Sequence, residues 1–318
     1  MVGFFDGRFL LTSALCCLLI FVNGWTDAPN AVATAIGSGA IEEKKAIRLS
    51  AVCNLLGVLL AYAVNDTLSQ NIIDSVSLGD NKLAALCSAM LSVVFFSLFA
   101  MLFGIPTSEG HALMAALSGA AAAEGQGVRL GFWGSVGLGI VLTTAAGFLL
   151  GFFFYKIIEN KKINPRVLRW GQVLSAALLS LMHGAQDGQK FAAVLLLATS
   201  LVGREAGKTS AAILCGVTMA VGTLLGGKRI IDKVGRKITA LDEKSGICCD
   251  ASSFVSMLLC TAFGIPVSTT HSKTTAVLGV GVSSGCVSLR AWGGIAFAWV
   301  LTFPFCFILS FVITKICI

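Results

Sequence analysis

The sequence predicts an all-α polytopic membrane protein made of two inverted-topology repeats, with broken or re-entrant helices meeting at the membrane midplane. Three observations lead there: a composition too apolar for a soluble surface, long unbroken apolar runs, and a self-match at a fixed offset of 160 residues. Hydrophobic residues make up 56% of the chain and charged residues 12%, against about 25% charged in ordinary soluble domains. Mean hydropathy is +0.87.

The apolar runs, in order, are Phe9–Val22, Ala46–Val64, Leu83–Phe103, Leu130–Ile158, Val167–Met182, Ser210–Leu225, Ser253–Phe263 and Ala291–Ile313. Several approach or exceed the ~20 residues that cross a hydrocarbon core. Only helices and closed barrels satisfy their backbone in lipid. These runs are continuous rather than alternating with period two, so they are helices. The first run, with Arg8 before it and Ala31-Val32-Ala33 after it, has the outline of a cleavable leader. The same pattern recurs in mid-chain, and we read it as a retained first span. Most of the 11 cysteines lie in apolar segments without CxxC spacing, where they act as small hydrophobes. The net charge of +7 fits cytoplasmic loops and gives no reason to expect nucleic acid.

Repeats organise the rest. Shifted by 160, Asn23-Gly24-Trp25-Thr26-Asp27 meets His183-Gly184-Ala185-Gln186-Asp187, with the glycines and aspartates identical. Phe103-Gly104-Ile105-Pro106-Thr107-Ser108-Glu109-Gly110-His111 meets Phe263-Gly264-Ile265-Pro266-Val267-Ser268-Thr269-Thr270-His271, with six of nine pairs identical. The corresponding loops differ in charge. Residues 65–82 carry Asp66, Asp74 and Asp80 against Lys82, whereas 225–242 carry Lys228, Arg229, Lys233, Arg236 and Lys237 against Asp232 and Asp242. Basic short loops stay in the cytoplasm, so these loops belong on opposite membrane faces, with an odd number of spans, five, between equivalent points. On this reading loops 159–169 and 228–244 are cytoplasmic and the N-terminus is external. We divide the chain into repeat 1 (1–128), a connecting helix with a basic loop (129–165) and repeat 2 (166–318).

Inverted repeats that bind ligand at matched helix breaks near the midplane are a transporter architecture. Four breaks are expected: at Asp27-Ala28-Pro29, at Pro106-Thr107-Ser108, from His183-Gly184 to Asp187-Gly188, and at Pro266-Val267-Ser268. Asp27 and Asp187 are ionisable groups inside apolar helices and therefore functional candidates. Each either ligates a sodium ion or proton or caps the next half-helix. Asn30, Gln186 and Gln189 can add amide ligands, or donors to an oxyanion. Thr107, Ser108, Ser268, Thr269 and Thr270 place hydroxyls where half-helices begin, to cap them or to hold a tetrahedral anion beside free N–H groups. Lys190 either adds charge to that anion site or snorkels to an interface. His111 and His271 are expected to form structural hydrogen bonds, and His183, matched by Asn23, a polar part of a break. No GxSxG, HExxH, Walker or kinase motif occurs. An enzyme using Asp187 and His183 would need a reaction centre in one half, whereas the candidates are duplicated. A passive channel is the remaining alternative.

These motifs resemble those of the PiT family of inorganic phosphate transporters over nearly the whole chain. His183-Gly184-Ala185-Gln186-Asp187-Gly188-Gln189-Lys190 resembles the family's Gly-Ala-Asn-Asp signature. Asp27-Ala28-Pro29-Asn30-Ala31-Val32-Ala33-Thr34 is similar to its first-half version, and Gly264-Ile265-Pro266-Val267-Ser268-Thr269-Thr270-His271 to the companion motif. The resemblance implies phosphate uptake coupled to sodium or protons, with Asp27 and Asp187 near the coupling ions and the hydroxyl-bearing breaks at the anion. Gln186 and Thr26 stand where the signature has asparagine. Glu109 stands where a small hydroxyl residue is usual, which points to proton coupling, an altered ion site or another anion; relatives carry sulfate. The coupling-ion set is thus Asp27, Asn30, Asp187, Gln186 and Glu109, and the anion set is Thr107, Ser108, Ser268, Thr269, Thr270, Gln189 and Lys190. Sodium at Asp27 and Asp187 is the only metal expected, and no organic cofactor. The expected partners are phosphate or sulfate and membrane lipid, with a homodimer left open.

Overall fold

The computed structural model describes residues 7–64 and 67–318; Asp66 of the acidic loop lies outside the described residues. The first half comprises α1 (Gly7–Thr26), α2 (Pro29–Gly37), α3 (Glu43–Val64), the short α4 (Thr67–Ser75), α5 (Lys82–Leu102), α6 (Glu109–Ala123) and α7 (Leu130–Ile158). The second comprises α8 (Pro165–Leu201), α9 (Lys208–Leu224), α10 (Lys228–Asp232) with a π-helical turn at Lys233–Lys237, α11 (Glu243–Ala262), α12 (Thr269–Ser284) and α13 (Leu289–Cys317). The offset of 160 lays α3 on α9, α5 on α11, α6 on α12 and α7 on α13 to within a few residues. The helix at 129–165, expected as a connector, therefore has α13 as its equivalent.

Length and composition make α1–α2 (Gly7–Gly37), α3, α5, α7, α11 and α13 membrane-crossing helices among the described residues, and α9 joins α10 and its π-helical turn in a pair bent by 68°. α6 and α12, of 15 and 16 residues, are too short to join that set, and the run of polar residues at its middle dilutes α8.

Within the first repeat the chain makes five passes: α1–α2, α3, α5, the extended stretch 103–108 with α6, and α7. Gly104 (φ +62°) and Gly264 (φ +66°) turn the two hairpin tips in a left-handed conformation that suits glycine. At the base of the first hairpin Val76 pairs with Val128, and at that of the second Thr239 pairs with Val287. The tip of each hairpin reaches the other half. The Arg229 guanidinium of α10 donates to the Leu102 carbonyl, while Gly264 and Leu68 of α4 line one cavity. Loops 67–82 and 225–242 thus lie at opposite ends of α5, a helix of 21 residues, about 31 Å long. This is the inversion that the loop charges require.

The halves interlock. α7 packs on α12 and α13 on α6; α3 packs on α8 and α1 on α9. A Cβ at Gly119 would lie 2.1 Å from the Phe307 carbonyl oxygen, and one at Gly279, its repeat partner, 2.1 Å from that of Phe148. Small residues bring backbones together where lipid supplies no hydrophobic drive.

One expectation is corrected. α8 runs unbroken through His183–Gly188, so three helix interruptions occur rather than four. In the first half Pro29 has no N–H to give and opens α2, leaving a kink at Asp27–Ala28. Its equivalent is Gln189, which keeps its N–H, and glycine alone weakens a helix by only about 1 kcal/mol.

Candidate functional site

The ionisable residues gather in the centre, on α1, α6 and α8. Asp27 ends α1, Glu109 opens α6 and Asp187 lies midway along α8; each is at most 2% exposed. The Asn23 amide donates to Glu109 Oε2 (2.7 Å) and to Asp187 Oδ2 (3.0 Å). Thr26 Oγ1 lies against Glu109 Oε1 and 2.8 Å from the Val22 carbonyl. Asp27 Oδ1 accepts from Asn30 Nδ2 (3.1 Å) and from the Thr270 hydroxyl, which also reaches the Thr107 carbonyl (3.0 Å). Asp187 Oδ1 accepts from Lys190 Nζ (2.7 Å), which also donates to the Val267 carbonyl (2.6 Å). His183 Nε2 stands 3.4 Å from Asp187 Oδ2, and its Nδ1 is 2.9 Å from Asn54 Oδ1. One ligand atom each from Asp27, His183 and Asp187 lie within 4.8 Å of one another, a donor set suited to a small cation or a proton.

The half-helices α6 and α12 begin at this centre. Ser108 Oγ accepts from the His111 N–H (3.4 Å) and Ser268 Oγ from the His271 N–H (3.3 Å), so both serines cap. The buried Thr269 hydroxyl has no partner among the described residues, and Thr107 is 5% exposed. Two helix N-termini converging with hydroxyls offer N–H donors and dipole ends to an anion.

Other candidates lie elsewhere. The Gln186 amide donates to Thr261 (2.6 Å), away from the aspartates. Gln189 and Gln186 face a cavity of about 450 Å³ that continues past Leu68 and Gly264. Lys190, expected at the anion, directs its ammonium to Asp187 instead, because that carboxylate is three residues away on the same helix face. The structural hydrogen bonds expected of the His111 side chain are absent among the described residues. The His111 and His271 rings lie 4.8 Å apart, tilted by 56°, and among those residues both His111 nitrogens and His271 Nδ1 lack partners.

The equivalent of that cavity in the first half is filled. A Cβ at Gly227 would meet the Trp25 carbonyl at 3.0 Å and the Pro29 ring at 3.1 Å; Trp25 and Pro29 are the repeat partners of Ala185 and Gln189. The cavity therefore lies on the α4 side, lined by none of the three carboxylates, and its equivalent on the α10 side is packed shut.

Sequence reasoning named Asn23 and Thr26 only as repeat counterparts of His183 and Gln186, not as site residues, and it passed over a second buried cluster. Lys273 Nζ donates to Asp250 Oδ1, to Thr34 Oγ1 (2.7 Å) and to the Ala31 carbonyl (3.3 Å), joining α12 to α11 and α2. Both charged side chains are fully buried. Both residues lie outside the apolar runs read from the sequence, Asp250 between Ser210–Leu225 and Ser253–Phe263 and Lys273 between Ser253–Phe263 and Ala291–Ile313, so neither stood out as an ionisable group inside a span.

A model of the phosphate transporter family matches twice, over residues 23–166 and 159–310. A probable low-affinity inorganic phosphate transporter of Bacillus subtilis is 31% identical over 306 residues, covering 91% of each chain. One from Mycobacterium tuberculosis is 34% identical over 302 residues, covering 89% of this chain and 71% of its own. A solved structure titled as the sodium-dependent phosphate transporter superposes with a TM-score of 0.81 at 22% identity, covering 98% of this chain and 99% of that one. That likeness shows a shared fold.

Proposed function

This chain belongs to the phosphate transporter family, and on that premise we propose that it imports inorganic phosphate by secondary active transport coupled to sodium or protons. The observation that carries the coupling is the charge of the centre, where three buried carboxylates (Asp27, Glu109 and Asp187) face the Lys190 ammonium and the His183 imidazole among the described residues. Two like charges 4 Å apart repel by about 4 kcal/mol in a partly polar site, so an anion enters this centre only in company with cations. The Asp27–His183–Asp187 group is the natural seat for one of them. The N-termini of α6 and α12, with Thr107, Ser108, Ser268 and Thr269, are the natural seat for the anion.

Alternating access is supported by the unequal halves. One repeat is open beside Gln189 while its equivalent is closed by Gly227 on Trp25 and Pro29. Exchange of those two conformations between the repeats would move the opening to the other face. The basic loops share one face, since Lys244 donates to the Glu159 and Lys161 carbonyls and Arg169 to that of Ala40. By the positive-inside rule that face is cytoplasmic and the N-terminus external.

The test is radiolabelled uptake into proteoliposomes under sodium and proton gradients, with unlabelled phosphate, sulfate or arsenate as competitors. Accumulation against a gradient, competed by phosphate, is the expected result. Flux that only equilibrates would identify a channel, and stronger competition by sulfate would change the substrate.

A further inference from the structure

The repeat equates two sets of residues around the aspartates. In the first, Asp27 is joined by Asn30, the Thr270 hydroxyl and the Thr107 carbonyl. The offset of 160 converts these into Asp187, Lys190, Gly110 and the Val267 carbonyl, where residue 110 is the partner of Thr270. In the first set a hydroxyl bridges the carboxylate and the carbonyl. In the second the Lys190 ammonium makes that bridge, 2.7 Å from Asp187 Oδ1 and 2.6 Å from the Val267 oxygen. The glycine makes room for it: a Cβ at Gly110 would fall 2.8 Å from Lys190 Nζ and 3.0 Å from its Cδ. Asparagine stands with threonine in one half and lysine with glycine in the other, and the paired changes conserve the volume.

We propose that the Lys190 ammonium is a built-in cation that permanently fills the second half's equivalent of the Asp27 position, so that only the Asp27 side takes an exchangeable cation. A lysine ammonium is a compact point charge with three donors, and a carboxylate with a main-chain carbonyl is the oxygen environment a small cation uses. Lys190 is 3% exposed and held by both oxygens. It moves with α8 and is not released during the cycle. The consequence is one fewer coupling charge per anion than two open positions would give. This rests on the coupled-transport reading above.

Two reciprocal variants test it. Lys190→Asn with Gly110→Thr copies the first position into the second. Charge moved per phosphate, read from reversal potentials in proteoliposomes, registers sodium and protons alike. It is expected to rise by one in this variant, and the dependence of thermal stability in detergent on cation concentration is expected to be steeper than in the parent. Asn30→Lys with Thr270→Gly copies the second position into the first, and phosphate binding to the purified protein is expected to lose its dependence on the coupling cation. An unchanged charge count in the first variant overturns the proposal, as does retained cation dependence in the second. If the first variant fails to fold, the second decides alone through binding and stability. Parent protein that accumulates no phosphate defeats the transport reading instead, and is read separately from either variant.

Discussion

Asn23 holds two carboxylates at once, Glu109 of α6 at 2.7 Å and Asp187 of α8 at 3.0 Å, so one amide of α1 ties α6 to α8. Beside it, the Thr26 hydroxyl has one hydrogen but lies against two acceptors, the Val22 carbonyl and the Glu109 carboxyl. A proton on Glu109 satisfies both contacts.

Glu109→Gln keeps the shape and a donor while removing the exchangeable proton. Uptake by the parent should rise as the outside is acidified, and uptake by the variant should be nearly flat with pH. Initial rates across a pH series check this; a variant that keeps the parent's slope excludes Glu109 as the proton carrier.

Asp27→Asn and Asp187→Asn each remove a charge that accepts charge-assisted or multiple hydrogen bonds. Such bonds are worth about 1.5–3 kcal/mol apiece, and uptake should fall by roughly 10- to 100-fold. Asp27→Asn should also flatten the cation-activation curve. Cation titrations of initial uptake rate test both effects.

The Asp250–Lys273 pair is fully buried, so each single change should be severe. Lys273→Met or Asp250→Leu leaves a lone interior charge and should cost about 3–5 kcal/mol, while the double change should recover most of that. Thermal unfolding in detergent, arranged as a double-mutant cycle, measures the difference.

Gly119→Val would push a side chain into the Phe307 backbone. The α6–α13 seam should open at a cost of about 1–3 kcal/mol or more. A lower melting temperature with less folded protein is the expected readout, and the same holds for Gly279→Val.

Two native cysteines report topology without mutation. Cys286 and Cys317 are both exposed; the first follows α12 on the face of the basic loops, and the second ends α13 on the other face. A membrane-impermeant maleimide should label Cys317 from outside intact cells and Cys286 only after permeabilisation. Labelling of both from one side contradicts the five-pass repeat.

The offset of 160 made much of this legible, because identical glycines, prolines and serines mark positions where backbone geometry is constrained. Asp27, Asp187 and the paired hairpin tips were found that way, and the loop charges indicated the inversion. Comparison between halves is blind to what only one half contains. Lys273 and Asp250 have Leu113 and Met90 as partners, so the pair left no repeat signal. The continuity of α8 was hidden for a different reason. Glycines and polar residues suggested a break, yet Gln189 keeps the N–H that Pro29 lacks, and α8 runs on through this position.

The break before Pro29 and the unbroken course of α8 at the same repeat position make the two halves unequal in how readily their helices can bend. Pro29 has no N–H to close a helix across Asp27–Ala28, whereas Gln189 can make or release that hydrogen bond. We therefore expect α8, rather than α1–α2, to be the element that flexes at this level during transport. Rigidifying or loosening α8 near Gly188 should consequently alter turnover more than the same change in α2.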